Sequence, residues 1–260
     1  MWIPYLNSCA MQYILKITEN FNFLLHTYLT NSVDDFYNEV YLEMINYTTD
    51  EQKRKNLIQF VKVTQALLET DGLKNISIRK IATQAGFHNS TIYLYFEDLD
   101  ELIMLASIKQ FQDYSIALES QSLKDADAYD NFYAIWSYFA DAAFQHSCIF
   151  HNFFFGKHSD NLHIFLNVYY DLFPEEQNKY SDDIKAMYFG KNYSERCLKI
   201  LLPLIGDSRT RVTKENVEII NDISVCFCKE ALHQKCEHPE LDNEKLKEKM
   251  LQMLHYTVDQ

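Results

Sequence analysis

The stretch that most constrains this chain is residues 76–105, ISIRKIATQAGFHNSTIYLYFEDLDELIML. Ile76, Ile78, Ile81, Ala82 and Ala85 fall at helical spacing and give one short apolar face. Ser77 is placed to cap that helix, because its hydroxyl accepts from a free first-turn amide. Gly86 follows the last apolar residue, where a helix ends in a left-handed conformation that a Cβ disfavours. His88-Asn89-Ser90-Thr91 then open a second short helix over 89–95, which ends in Tyr93-Leu94-Tyr95-Phe96. Two short helices joined by a glycine turn make a helix-turn-helix, whose second helix enters the major groove of DNA. Asp98-x-x-Glu101 caps a third helix that is expected to run to about residue 120.

The spacing goes further than a bare helix-turn-helix. Ile81-Ala82-x-x-Ala85-Gly86-Phe87-x-x-x-Thr91-Ile92-Tyr93-x-Tyr95-Phe96-x-Asp98-x-Asp100-Glu101-Leu102 resembles the DNA-binding domain of the TetR family of bacterial transcription regulators, over residues 52–105. The resemblance implies an all-α protein. A three-helix DNA-binding domain over 49–97 would be followed by a helical ligand-binding and dimerisation domain over 98–260. It also implies a homodimer on a pseudo-palindromic double-stranded operator, and a repressor released by a small hydrophobic or aromatic effector. Two positions depart from the family. His88 stands where a capping Ser is common, so the cap is expected at Asn89. Leu99 stands where a phosphate-contacting Lys is usual, which removes one such contact.

Composition agrees with the all-α class. Gly 5 and Pro 4 in 260 residues leave few tight turns, and no alternating β-branched runs stand out. The net charge of −13 argues against a nucleic-acid partner until its distribution is read. Residues 51–96 carry seven basic and three acidic side chains, a net +4, which leaves −17 on the remainder. A basic head on an acidic body orients the molecule on DNA.

The groove is about 12 Å wide, so its reader must present short or planar polar side chains. Asn89, Ser90 and Thr91 meet that demand, with Tyr93 and Tyr95 assigned to phosphates and Ile92 and Phe96 to the core. Ser77, Arg79 and Lys80 sit on the supporting helix beside the groove. Lys53 lies at the start of the helix opened by a Thr49-x-x-Gln52 capping box, and Arg54 and Lys55 beside it are within reach of phosphates. That first helix shows an apolar stripe of Leu57, Ile58, Val61, Ala66, Leu67 and Leu68, and Asp71-Gly72 ends it.

Beyond the head, fourteen of the 42 residues over 132–173 are Phe, Tyr or Trp. An aromatic core is one reading of them and a chamber for a flat apolar molecule is the other. The candidate lining is Trp136, Phe139, Phe144, His151, Phe154 and Tyr169. A longer helix is expected over 181–206, with Pro203 near its end. The last two helices, 213–236 and 243–257, resemble the family's dimerisation pair, with Val217, Ile220, Phe227, Ala231, Leu246, Met250 and Leu254 as the contact residues.

The six cysteines are irregularly spaced, and they are expected to be free thiols in a reducing cytoplasm. Cys226 and Cys228 point to different sides of a helix, so no metal site is expected beside His233 and Cys236, and no cofactor is implied. The most apolar stretch, 135–155, is interrupted by Asp141, Gln145, His146, His151 and Asn152, which excludes a membrane span there. No nucleophile–base spacing, Gly-rich phosphate loop or paired carboxylates point to an enzyme. Residues 1–48 fall outside the resemblance. They are open to three readings: an over-extended gene start with Met44 near the true one, an accessory helical extension, or a partner-binding arm. An alternative function is a DNA-binding architectural or adaptor protein whose body binds another protein.

Overall fold

The computed structural model describes residues 50–121, 127–177 and 190–260. The extension expected over 1–48 lies outside the described residues, as do Ile184, Met187 and Tyr188 of the helix expected from 181. The described chain is helical, and its one bridge of β type joins Thr210 to Asp259.

The head begins with α1 (Glu51–Asp71), α2 (Ile78–Ala85) and a 3₁₀ helix (Asn89–Leu94). Asp50 caps α1, and Thr49, the cap expected from the sequence, lies outside the described residues. Its carboxylate accepts from the amides of Gln52 at 2.9 Å and Lys53 at 3.0 Å. A full negative charge at a helix N-terminus interacts better with the helix dipole than a hydroxyl does. Ser77 caps α2 by accepting from the Lys80 amide at 3.3 Å. Gly86 closes α2 in the left-handed region at φ 76°.

The stripe of α1 turns further than its sequence suggests. Leu57, Phe60, Val61, Thr64, Leu67 and Leu68 are buried, whereas Ala66 is exposed. Phe60 is the hub of the head: its ring lies 4.8 Å from Phe87, 5.6 Å from Tyr95 and 6.5 Å from Phe96. Ile81, Ala82 and Ile92 complete that core. Burying side chains of this size contributes about 1.5–3 kcal/mol each, which holds α2 and the 3₁₀ helix, too short to be helical alone, against α1.

Helix α3 (Leu99–Gln121) leaves the head and enters the body. Asp98 caps its first turn by accepting from the Glu101 amide at 2.9 Å. Residues 101–108 are buried on every side, so this helix runs through protein rather than across a surface. Around it pack α4 (Ala128–Gln145), α5 (Ser147–Phe155), α6 (Leu162–Leu172) and α7 (Tyr193–Leu201), followed by α8 (Val217–Glu237) and α9 (Asn243–Val258). Helix α8 lies on α5 and α7, and α9 on α4. Pro203 sits in a 3₁₀ turn, Leu202–Leu204, that ends α7. Arg54 ties head to body by donating to the carbonyls of Asp171 at 2.9 Å and Leu172 at 2.8 Å, at the C-terminus of α6. That use takes Arg54 away from any phosphate.

The cysteines correct the sequence reading. Cys148 and Cys236, 88 positions apart, form a disulfide. Packing of α8 on α5 brings their Cα atoms to 4.8 Å, within bridging range. Cys197 and Cys228 are buried free thiols, and Cys226 is an exposed one.

Candidate functional site

The second element of the helix-turn-helix is a 3₁₀ helix, not the α-helix expected over 89–95. The Thr91 amide donates to the His88 carbonyl at 2.9 Å, three residues back. Six residues are too few for a stable α-helix, and 3₁₀ turns serve such short pieces. The cap stays on His88 rather than shifting to Asn89. Its Nδ1 accepts from the Ser90 amide at 3.4 Å and lies 2.8 Å from the Ser90 hydroxyl. A ring nitrogen therefore stands where the resemblance places a serine oxygen.

Asn89, Ser90 and Tyr93 are exposed, and Thr91 is half-buried beside them. Tyr95 is not available to phosphate: it is buried, and its hydroxyl accepts from the Asn56 side-chain amide at 2.8 Å. The two tyrosines expected to share one role are separated by the core boundary. Leu94, which sequence reasoning passed over, is exposed at 65%, more than Tyr93 at 57%. An aliphatic side chain exposed on the second element of a helix-turn-helix is chemically suited to the methyl of thymine. Its apolar character hid it, because in a sequence Leu reads as core.

The basic residues divide as well. Arg79 is exposed on α2. Lys80 is engaged with the Asp71 carboxylate and the Asn75 carbonyl. Lys55 pairs with Glu51 at 2.7 Å. Lys53 is exposed on the first turn of α1, and Ser77 is exposed with its hydroxyl turned to its own helix.

In the body, a cavity is lined by residues of α3, α4, α5 and α7. Trp136, Phe139 and Phe154 of the expected lining are there, joined by Phe111, Tyr114, Tyr193 and Arg196. Its free volume is about 30 Å³, roughly one water's share of liquid, so a ring-sized ligand must displace side chains. The other three expected residues are elsewhere. Phe144 lines a second cavity near Cys148. His151 lies tilted against the rings of His233 and Phe155, 5.5 and 5.8 Å between centres. Tyr169 is buried and donates to Glu176 Oε2 at 2.7 Å while accepting from Gln65. Helical periodicity could not separate these, because every face of α4 to α6 carries rings.

The cavity wall is polar at defined points. Arg196 is buried, its guanidinium 4.7 Å from the Phe111 ring centre and 5.7 Å from that of Phe154. The Trp136 indole N–H is buried with no acceptor. Burial drives the Tyr114 and Tyr193 hydroxyls and the Cys197 thiol upward, and the Cys228 thiol to about 12. All four stay protonated near neutrality and are poor nucleophiles.

The expected dimer residues are mostly spent inside the chain. Val217, Ile220, Ala231, Met250 and Leu254 are buried, and Phe227 and Leu246 are half-buried. The other side of α8 leaves Ile219 and Ile223 exposed, and Tyr256 is exposed on α9.

A helix-turn-helix head joined by a buried helix to a cavity-bearing helical body is an architecture that some DNA-binding regulators share. In fold, and in the residues of its head, the chain resembles the TetR family of transcription regulators. No family model matches it. An HTH-type transcriptional regulator of Haemophilus influenzae is 28% identical over 78 residues, which is 30% of this chain and 42% of that relative, less than half its length. The structure of RolR in complex with the ligand resorcinol aligns with a TM-score of 0.51 at 18% identity, covering 78% of this chain and 90% of that one. That of Thermus thermophilus FadR, a TetR-family transcriptional repressor in complex with lauroyl-CoA, gives 0.48 at 12% identity over 76% and 92%. Among the described residues no helix is long and apolar enough to cross a membrane.

Proposed function

We propose that the protein is a sequence-specific transcription regulator: a homodimeric repressor that holds a pseudo-palindromic operator in the cytoplasm and releases it on binding a small, flat, apolar effector. One observation carries this reading. Helix α3 starts at the corner of the head, where Asp98 caps it, and carries Phe111 and Tyr114 into the wall of the body cavity. A ligand that parts those rings tilts the helix on which the head rides. The mechanism is a shift between two head spacings, and coupling of about 1–3 kcal/mol suffices. RolR, similar in fold, is seen with resorcinol, and a flat ring of that kind could enter this cavity only by parting its walls.

The test uses the full chain and a pool of random-sequence duplexes. Repeated selection should enrich a pseudo-palindrome. The T91A/Y93A double variant, checked for helicity, should bind the enriched duplex at least about tenfold more weakly, on the order of one lost base contact per head. Absence of enrichment, or unchanged binding by the variant, removes the assigned head.

A further inference from the structure

We propose that the Cys148–Cys236 bridge is a reversible thiol–disulfide switch that controls how firmly the body holds the DNA-binding head. Cys148 is the second residue of α5, and Cys236 lies in the last turn of α8. The bridge is one step from the head. The backbone carbonyl of Cys236 accepts from Lys74 Nζ at 2.9 Å, and Lys74 also pairs with Glu237 at 3.0 Å. Lys74 belongs to the 3₁₀ turn Leu73–Asn75, between α1 and the supporting helix α2. The end of α8 therefore grips the turn on which the helix-turn-helix hangs, and the disulfide fixes that end to α5.

Access is provided. Both cysteines are half-buried, and both line a cavity of about 430 Å³. Its other walls come from the head, through Leu68, Gly72 and Lys74, and from the body, through Phe144 and His146. A small thiol fits that space. Of the remaining described cysteines, Cys197 and Cys228 are buried and closed to such reagents, whereas Cys226 is exposed and is followed separately in the alkylation.

The switch rests on the reading that the head binds DNA. A protein that works on DNA in the cytoplasm meets thiol reductants, and disulfides that form there are transient or redox-sensing. The chemistry is exchange with a low-molecular-weight thiol/disulfide couple. One thiolate attacks a bridge sulfur, giving a mixed disulfide and a cysteine thiolate, which takes up a proton. A second thiol displaces the cysteine from the mixed disulfide. The bridge gains two electrons and two protons as two thiols become one disulfide, and oxidised couple reverses the step. Once open, the last turn of α8 is released from α5, and the Lys74 contact rests on a helix end free to fray.

The experiment equilibrates the full chain with reduced and oxidised glutathione at a series of ratios. Mass spectrometry after alkylation should show the two-electron change at Cys148 and Cys236. Hydrogen exchange should show faster amides in the last turn of α8 and over 72–76 in the reduced form. Affinity for the duplex enriched by selection should differ fivefold or more between the two forms, and C148S should hold one affinity at every ratio. A smaller difference in the wild type removes the switch and leaves the regulator reading standing. A bridge that never forms also removes it. If neither form enriches any duplex, both readings fall together.

Discussion

Tyr93 and Tyr95 stand two positions apart and have opposite surroundings. Tyr93 is 57% exposed, while Tyr95 packs against Phe60 and accepts from Asn56. A 3₁₀ turn at the edge of a three-element core can show only part of its surface to a groove, so neighbours in sequence part company. Y95F should therefore act on stability and not on reading. Losing the hydroxyl leaves the Asn56 amide without that acceptor, and a net loss of about 1 kcal/mol is expected. Denaturant unfolding should register that loss, while affinity for the selected duplex stays within about twofold, well under the 1.4 kcal/mol of a tenfold change. A large loss of affinity at unchanged stability would return Tyr95 to the phosphates.

At the scale of the element, α3 is the part that couples head to body, and its first turn is built from charge. Asp98 caps it, and it also receives Lys157 and His158 Nε2, the latter at 3.3 Å, from the loop after α5. Glu101 is buried and accepts from the Glu97 amide. Burial raises the Glu101 carboxyl above its usual range, against the amide of Glu97 and the charge of His158, which pull it down. A raised carboxyl favours the protonated folded form. Its charge therefore opposes folding at neutral pH, and the folded state gains as pH falls through the raised value toward the ordinary value near 4.3. E101Q removes that titration while keeping an oxygen for the Glu97 amide. Thermal melts from about pH 7 to about pH 4 should show a smaller acid-side gain in the variant than in the wild type, after subtraction of the common background. Identical curves would mean the carboxyl is not held high. Such couplings explain what the sequence could and could not disclose. The head was legible because its signals are local: Ser77 caps, Gly86 turns left-handed, and Ile81 and Ile92 fall at core positions, although Phe60, its hub, lay outside the stripe the sequence offered. The capping nitrogen of His88, the Tyr95–Asn56 pair and the Cys148–Cys236 bridge depend on side-chain geometry or on partners up to 88 residues away. In the body, three of six lining residues were found, because rings on every face of α4 to α6 leave periodicity without contrast.

The whole molecule poses the question of which surface meets a second copy. Two reading heads are needed for a pseudo-palindromic site, so a two-fold interface follows from the proposed function. Helix α8 is apolar on two sides. Val217, Ile220, Cys228 and Leu232 face its own chain, while Ile219, Ile223 and the half-buried Phe227 line the other side. A one-dimensional pattern cannot say which stripe is inward. Once the fold has used the first, the second is left exposed on α8 for a partner. The two classes of variant then separate cleanly. V217A and L254A would open cavities in the protomer and destabilise it by about 1–4 kcal/mol, whatever the oligomeric state. I219D/I223D places charges on exposed positions, where substitution usually changes stability by less than about 0.5 kcal/mol. In a dimer those charges would be buried unpaired across the interface, at a penalty large enough to separate the copies. Light scattering should therefore report a monomer for I219D/I223D with native helicity. Operator binding should fall with dimerisation, because one head alone keeps only half of the base contacts. A folded variant that remains dimeric would place the interface on another surface and return the outer stripe of α8 to solvent.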